Sequence, residues 1–215
     1  MTDFSRRDLL KRAGVASAAA AVPTAFSDAA QAPPAPLRAE RLETLTQPEA
    51  ETLEAVVARL IPTDANGPGA REARAAHYID RALGGALAAS LEAYRSGLAN
   101  LDAYAQQAKG SRFPQLSERD QDELLSALEQ NAVPSFGPPG AAAFFNMVLN
   151  HTLQGTFGDP FYGGNRNFVG WDLVGYPGVR LAVTPDEQRL DRRPRQLHMS
   201  AYDYSMFSGR KPNGD

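Results

Sequence analysis

Few side chains in this sequence could carry catalysis or hold a metal. Histidine occurs only at His77, His151 and His198, and cysteine does not occur. A metal site built on a helix needs pairs such as His-x-x-x-His or Glu-x-x-His. Neither spacing is present. The lack of cysteine excludes disulfides, thiolate iron–sulfur ligation, covalent c-type haem attachment and a cysteine nucleophile in this chain. The run Gly163-Gly164-Asn165-Arg166-Asn167 has the composition of an anion cradle. It lacks the Gly-x-x-x-x-Gly-Lys-Ser/Thr spacing, and it neither follows a strand nor opens an obvious helix. It reads as consecutive turns whose glycines take positive φ. His77 and Asp80 read as structural residues of one helix, Asp80 orienting or capping. His151 reads as a residue favouring a helix C-terminus. No catalytic, cofactor-binding or metal-ligating residue is expected.

A different kind of function is suggested by Gly155 to Gly178, a segment with seven glycines. Phe161, Tyr162, Phe168, Trp171 and Tyr176 supply large, rigid contact area there, and Arg166 supplies a fork of donors. Such residues dominate interface energetics, so these six are the expected partner interface. The formal charge of −3 and the absence of a basic cluster beyond the first dozen residues argue against nucleic acid as that partner.

The elements that must position this segment are helical. Thr46 and Glu49 make a capping box for a helix burying Leu53, Val56, Val57, Leu60 and Ile61, which Pro62 stops. Pro62, Asp64, Gly67, Pro68 and Gly69 form a loop expected to fix how two helices meet. A second, alanine-lined helix spans Ala70 to Leu83 and breaks at Gly84-Gly85. Leu87, Leu91, Tyr94, Leu98, Leu101 and Ala105 mark an amphipathic helix of about five turns. Ser117 caps a helix bearing Leu124, Leu125 and Leu128, and Phe144, Phe145, Val148, Leu149 and Thr152 mark one more. The expectation is an all-α domain of about five helices, an irregular aromatic arm from Gly155, and a poorly structured tail. The divisions are 1–30 for a signal, 31–44 for a proline-rich linker, 45–178 for the domain with its arm, and 179–215 for a flexible tail.

The start of the chain supplies the signal. Ser5-Arg6-Arg7-Asp8-Leu9-Leu10-Lys11 precedes an apolar, alanine-rich run of about 14 residues, Ala13 to Phe26. That is short of the ~20 residues a spanning helix needs. The run resembles a twin-arginine export signal, with Arg6, Arg7, Leu9, Leu10 and Lys11 its working residues. Such a signal implies delivery to the periplasm, in the folded state, by the twin-arginine translocase.

Two blocks carry a wider resemblance. The first is Leu60-Ile61-Pro62-Thr63-Asp64, Gly67-Pro68-Gly69-Ala70 and Tyr78-Ile79-Asp80. The second is Gly158-Asp159-Pro160, Tyr162-Gly163-Gly164-Asn165-Arg166, Gly170-Trp171 and Gly175-Tyr176-Pro177-Gly178. Together, over about residues 45–180, they resemble the gluconate 2-dehydrogenase subunit 3 family. The resemblance implies a non-catalytic small subunit serving a large flavoprotein dehydrogenase subunit that oxidises a sugar or sugar acid and holds FAD. Where a multihaem cytochrome c subunit is also present, haem c sits in it. The complex would be associated with the inner membrane through these partners. Two other readings stay open: a free-standing periplasmic binding or structural protein, and an enzyme with an unrecognised metal site.

Overall fold

The computed structural model describes residues 42–207. Arg6, Arg7, Leu9, Leu10 and Lys11 lie outside the described residues, as does nearly all of the 31–44 linker. Among the described residues six helices follow in chain order: α1 Gln47–Leu60, α2 Ala75–Leu83, α3 Leu91–Lys109, α4 Glu118–Glu129, α5 Ala141–Phe157 and α6 Val169–Val174, with short 3₁₀ turns between several of them. No strand occurs among the described residues, and the architecture is all-α.

The local chemistry of the helix starts is as the sequence predicts. The Glu49 carboxylate accepts from the Thr46 N–H and hydroxyl, both at 2.8 Å. The Ser117 hydroxyl accepts from the Asp120 N–H at 3.2 Å. The apolar faces also converge as their spacing requires: Leu53, Val56, Val57, Tyr94, Leu98, Leu101, Leu124, Leu128, Phe144 and Val148 are each no more than 2% exposed. Full burial of such a side chain contributes about 1.5–3 kcal/mol before entropy is counted. α1 and α5 form the centre, α1 packing on α2, α3, α4 and α5, and α5 also carrying α6.

Polar groups lock this arrangement. Arg59 of α1 makes a fork with Asp122 of α4 at 2.8 and 2.7 Å and reaches Glu118 at 2.6 Å. Asp102 of α3 accepts from Arg112 at 2.8 Å, from the Phe113 N–H at 3.1 Å and from the buried Thr52 hydroxyl at 3.1 Å. α1, α3 and the loop before α4 are thereby joined around one carboxylate.

Three expectations about boundaries need correction. The second helix begins at Ala75 rather than Ala70, because Arg74 adopts φ 61° and interrupts the helical backbone. The third begins at Leu91, after a 3₁₀ turn at Ala88–Ser90. The fifth does not stop at Gly155 but continues to Phe157. A Cβ at 155 would lie 2.9 Å from the Ala75 Cα and from Tyr78 Cδ1. That glycine therefore admits α2 to close packing against α5 instead of ending the helix.

Candidate partner-docking surface

The loop after α1 and the arm after α5 come together although about 90 residues separate them in sequence. In the loop, Asp64 and Gly67 bond each other through both backbone N–H groups at 3.1 Å, and Gly67 takes φ 143°. The Asp64 carboxylate accepts from the Asn66 N–H at 2.8 Å. The Gly69 N–H donates to Thr63 Oγ1 and to Glu72 Oε2, both at 3.0 Å. A Cβ at Gly69 would lie 2.2 Å from the Ile61 carbonyl oxygen, so the chain folds back on the end of α1 with no room for a side chain. Burial acts to raise the Glu72 pKa, but the bonds from the Thr63 hydroxyl and the backbone outweigh it and hold the carboxyl below its ordinary value.

Asn165 holds the arm in place. It is fully buried. Its N–H donates to the Gly155 carbonyl at 2.7 Å, its Nδ2 donates to the Gly158 carbonyl at 2.8 Å, and its Oδ1 accepts from the Gly170 N–H at 2.8 Å. Close approach of backbones requires the flanking glycines: a Cβ at Gly164 would lie 2.1 Å from the Gly155 carbonyl oxygen, and one at Gly170 would lie 1.8 Å from that of Thr156. The arm reaches the first block through Arg166, whose N–H donates to the Ala73 carbonyl at 3.2 Å. Leu173 of α6 sits 3.4 Å from where a Cβ on Gly67 would be. The positive φ expected of the glycines falls partly elsewhere, on Asn165 (43°), Asn167 (55°) and Phe168 (63°). Phe168 is a conformation the rest of the arm must impose, since bulky residues avoid that region.

The six aromatic-arm residues do not share one exposure. Trp171 is 4% exposed, and its indole N–H donates to the Phe157 carbonyl at 2.9 Å; it is an internal anchor of α6 on α5. Phe161 and Phe168 are half-buried, while Tyr162, Arg166 and Tyr176 are exposed. Tyr176 meets Trp171 edge-on with ring centroids 4.8 Å apart.

Much of the remaining aromatic surface is covered by the chain's own residues 197–204. Tyr202 stacks on Phe161 at a centroid distance of 3.5 Å, and its hydroxyl lies 2.6 Å from that of Tyr162. His198 stacks on Phe168 at 5.0 Å, and its Nε2 lies 2.7 Å from Asp172 Oδ1. Asp159 accepts from the Phe161 N–H at 3.0 Å, from the Ser200 hydroxyl at 2.6 Å and from the Ala201 N–H at 2.9 Å. Asp159, Asn165, His198, Ser200 and Tyr202 are thus organising residues that sequence reading missed. Asn165 and Asp159 carried one signal, a place in the motif blocks; the tail residues carried none.

The histidines are dispersed. His77 packs beneath the arm, its Cδ2 3.5 Å from where a Cβ on Gly163 would lie. His151 is not a helix-terminal residue, because α5 runs on to Phe157. Its Nδ1 lies 2.9 Å from the hydroxyl of the fully buried Tyr94. Burial pushes the Tyr94 hydroxyl pKa up, so that group keeps its proton and pairs with the ring nitrogen as a neutral hydroxyl. Burial also lowers the His151 pKa, the opposite of what a helix C-terminus would do. Asp80 is 1% exposed and accepts from the N–H groups of Glu43, Thr44 and Leu45 at 2.7, 3.1 and 2.7 Å. It caps the approach to α1. Among the described residues no helix is long and apolar enough to cross a membrane.

A family model described as gluconate 2-dehydrogenase subunit 3 matches residues 47–178. No curated protein and no solved structure matches the chain. The matched stretch opens on the first residue of α1 and closes where the arm meets residues 197–204, so it contains both motif blocks and the joint between them. On that match the chain belongs to the gluconate 2-dehydrogenase subunit 3 family.

Proposed function

We propose that this chain is the non-catalytic small subunit of a periplasmic sugar or sugar-acid dehydrogenase complex. Its partner is a large flavoprotein of the glucose–methanol–choline type, which holds the FAD and performs the oxidation. A multihaem cytochrome c, where present, accepts the electrons and links the assembly to the inner membrane. The observation that carries this reading is the family match over residues 47–178. The convergence of both motif blocks on one rigid joint agrees with it.

The small subunit acts by mass action. A protein that binds only the folded form of its partner stabilises that form by RT ln(1 + [L]/Kd), about 2.7 kcal/mol at a hundredfold excess over Kd. The arm and the Pro62–Gly69 loop make a surface suited to this, since their backbones are fixed before a partner arrives. The twin-arginine sequence at Arg6 and Arg7 then directs the folded pair to the translocase. Burying four arm aromatics at roughly 150–250 Å² each would be about one partner's share of a standard interface. Trp171 is already internal and Phe161 and Phe168 are partly covered, so the face now open is smaller than that.

The test is co-production with a glucose–methanol–choline-type flavoprotein dehydrogenase subunit from the same host. The two should co-purify from the periplasm, and replacing Arg6 and Arg7 by lysine should leave both in the cytoplasm. Export of the flavoprotein without this chain would overturn the reading.

A further inference from the structure

The segment Leu197–Tyr204 lies beyond the stretch that matches the family, yet it sits on the arm that closes that stretch. Its attachments are specific: the Leu197 N–H donates to the Pro177 carbonyl at 2.8 Å, the Val179 N–H donates to the Met199 carbonyl at 3.0 Å, and Ser200, Ala201 and Tyr202 engage Asp159 and the Phe161–Tyr162 pair as described. Its hold is nonetheless shallow. Of its eight residues only Ser200 is buried; its bonds to Tyr162 and Asp172 are exposed and those to Asp159 are only part-buried, so water can compete for them. The connecting residues 181–196 are exposed throughout and contain no helix or strand. A ligand tethered in this way rebinds at a local concentration on the order of millimolar and still opens locally.

We propose that Leu197–Tyr204 is a built-in strap that occupies the arm's aromatic face and is displaced when the dehydrogenase subunit docks. This rests on the arm being the docking surface. The rings under the strap, Phe161 and Phe168, are the apolar faces a partner would bury most profitably, and Asp159 would be released to accept bonds from the partner instead. A strap closed for about 90–99% of the time lowers apparent affinity roughly ten- to a hundredfold.

The experiment uses the full chain and the flavoprotein subunit, with a strap variant H198A/S200A/Y202A and an arm variant F161A/Y162A. Hydrogen exchange on the strap variant should show fast amides at Val179, Leu197 and Ala201 with α5 protection unchanged. Its affinity for the flavoprotein should rise about tenfold, and the wild-type strap amides should lose protection in the complex. An affinity unchanged within twofold or lowered, or strap amides still protected in the complex, would overturn the strap. The arm variant tests the underlying reading separately. Unaltered binding by F161A/Y162A removes the docking surface itself, whereas weakened binding there with no gain in the strap variant removes the strap alone.

Discussion

The carboxylate of Asp80, buried on α2, accepts the N–H of Leu45 at 2.7 Å across 35 positions of sequence. With the Glu43 and Thr44 N–H groups on the same carboxylate, it sets the direction in which the chain approaches α1. Asp80→Ala would strand three N–H donors, one of them fully buried. Since each unsatisfied buried donor costs about 1–3 kcal/mol, the loss should be about 2–4 kcal/mol. Asp80→Asn keeps one acceptor oxygen and should fall between. Urea unfolding of the three proteins measures this; equal midpoints would refute the capping role.

Gly97 of α3 lies under the Phe144 ring, so that a Cβ there would come within 2.1 Å of Phe144 Cδ2. Gly97→Ala should cost about 1–3 kcal/mol by overpacking, and Phe144→Leu in the same chain should recover part of it. Gly85 has nothing within 4 Å of a built Cβ and no positive φ. Gly85→Ala should therefore be neutral or stabilising by up to about 1 kcal/mol. Thermal melts of the three variants beside wild type check the ordering.

His151 gives the fold a dependence on acid. Burial places its folded pKa below the ordinary value, near 6.5. The unfolded chain therefore binds the proton more readily. Stability from this group is intact above about pH 6.5 and falls as pH drops through that value toward the folded pKa. The difference in urea midpoint between wild type and His151→Gln should shrink from pH 7.5 to pH 5, and NMR titration should place His151 below 6.5. A pKa above 6.5 would refute this dependence on acid.

Asn165 should be the least replaceable residue of the arm. Asn165→Asp keeps the acceptor for the Gly170 N–H but turns the Nδ2 donor into an oxygen facing the Gly158 carbonyl. Asn165→Ala loses both bonds and places a Cβ residue without local polar support at φ 43°. Each should cost about 2–4 kcal/mol by leaving buried polar groups unpaired. The loss should localise: hydrogen exchange at Gly170 and proteolysis between 158 and 178 should accelerate, while α3 and α4 stay protected. Uniform protection loss would mean that the arm is not a separable unit.

What the sequence alone determined was whatever depends on neighbours within a turn or two. Thr46 with Glu49 and Ser117 with Asp120 cap helices over three residues, and the leucine and phenylalanine spacings put one face of each helix inward. Both the all-α class and the family resemblance were legible for that reason. Tertiary structure decided the rest. Arg74 cuts α2 short through a left-handed backbone that no spacing signals, and Gly155 lies inside α5 because α2 needs the space. The six arm residues look alike in a list, yet Trp171 faces the core while Tyr162 and Tyr176 face outward. Asp159 meets Ser200 and Asp80 meets Leu45 across 41 and 35 positions. Bonds of that range form only when the packed helices bring the partners together, and local pattern carries no trace of them.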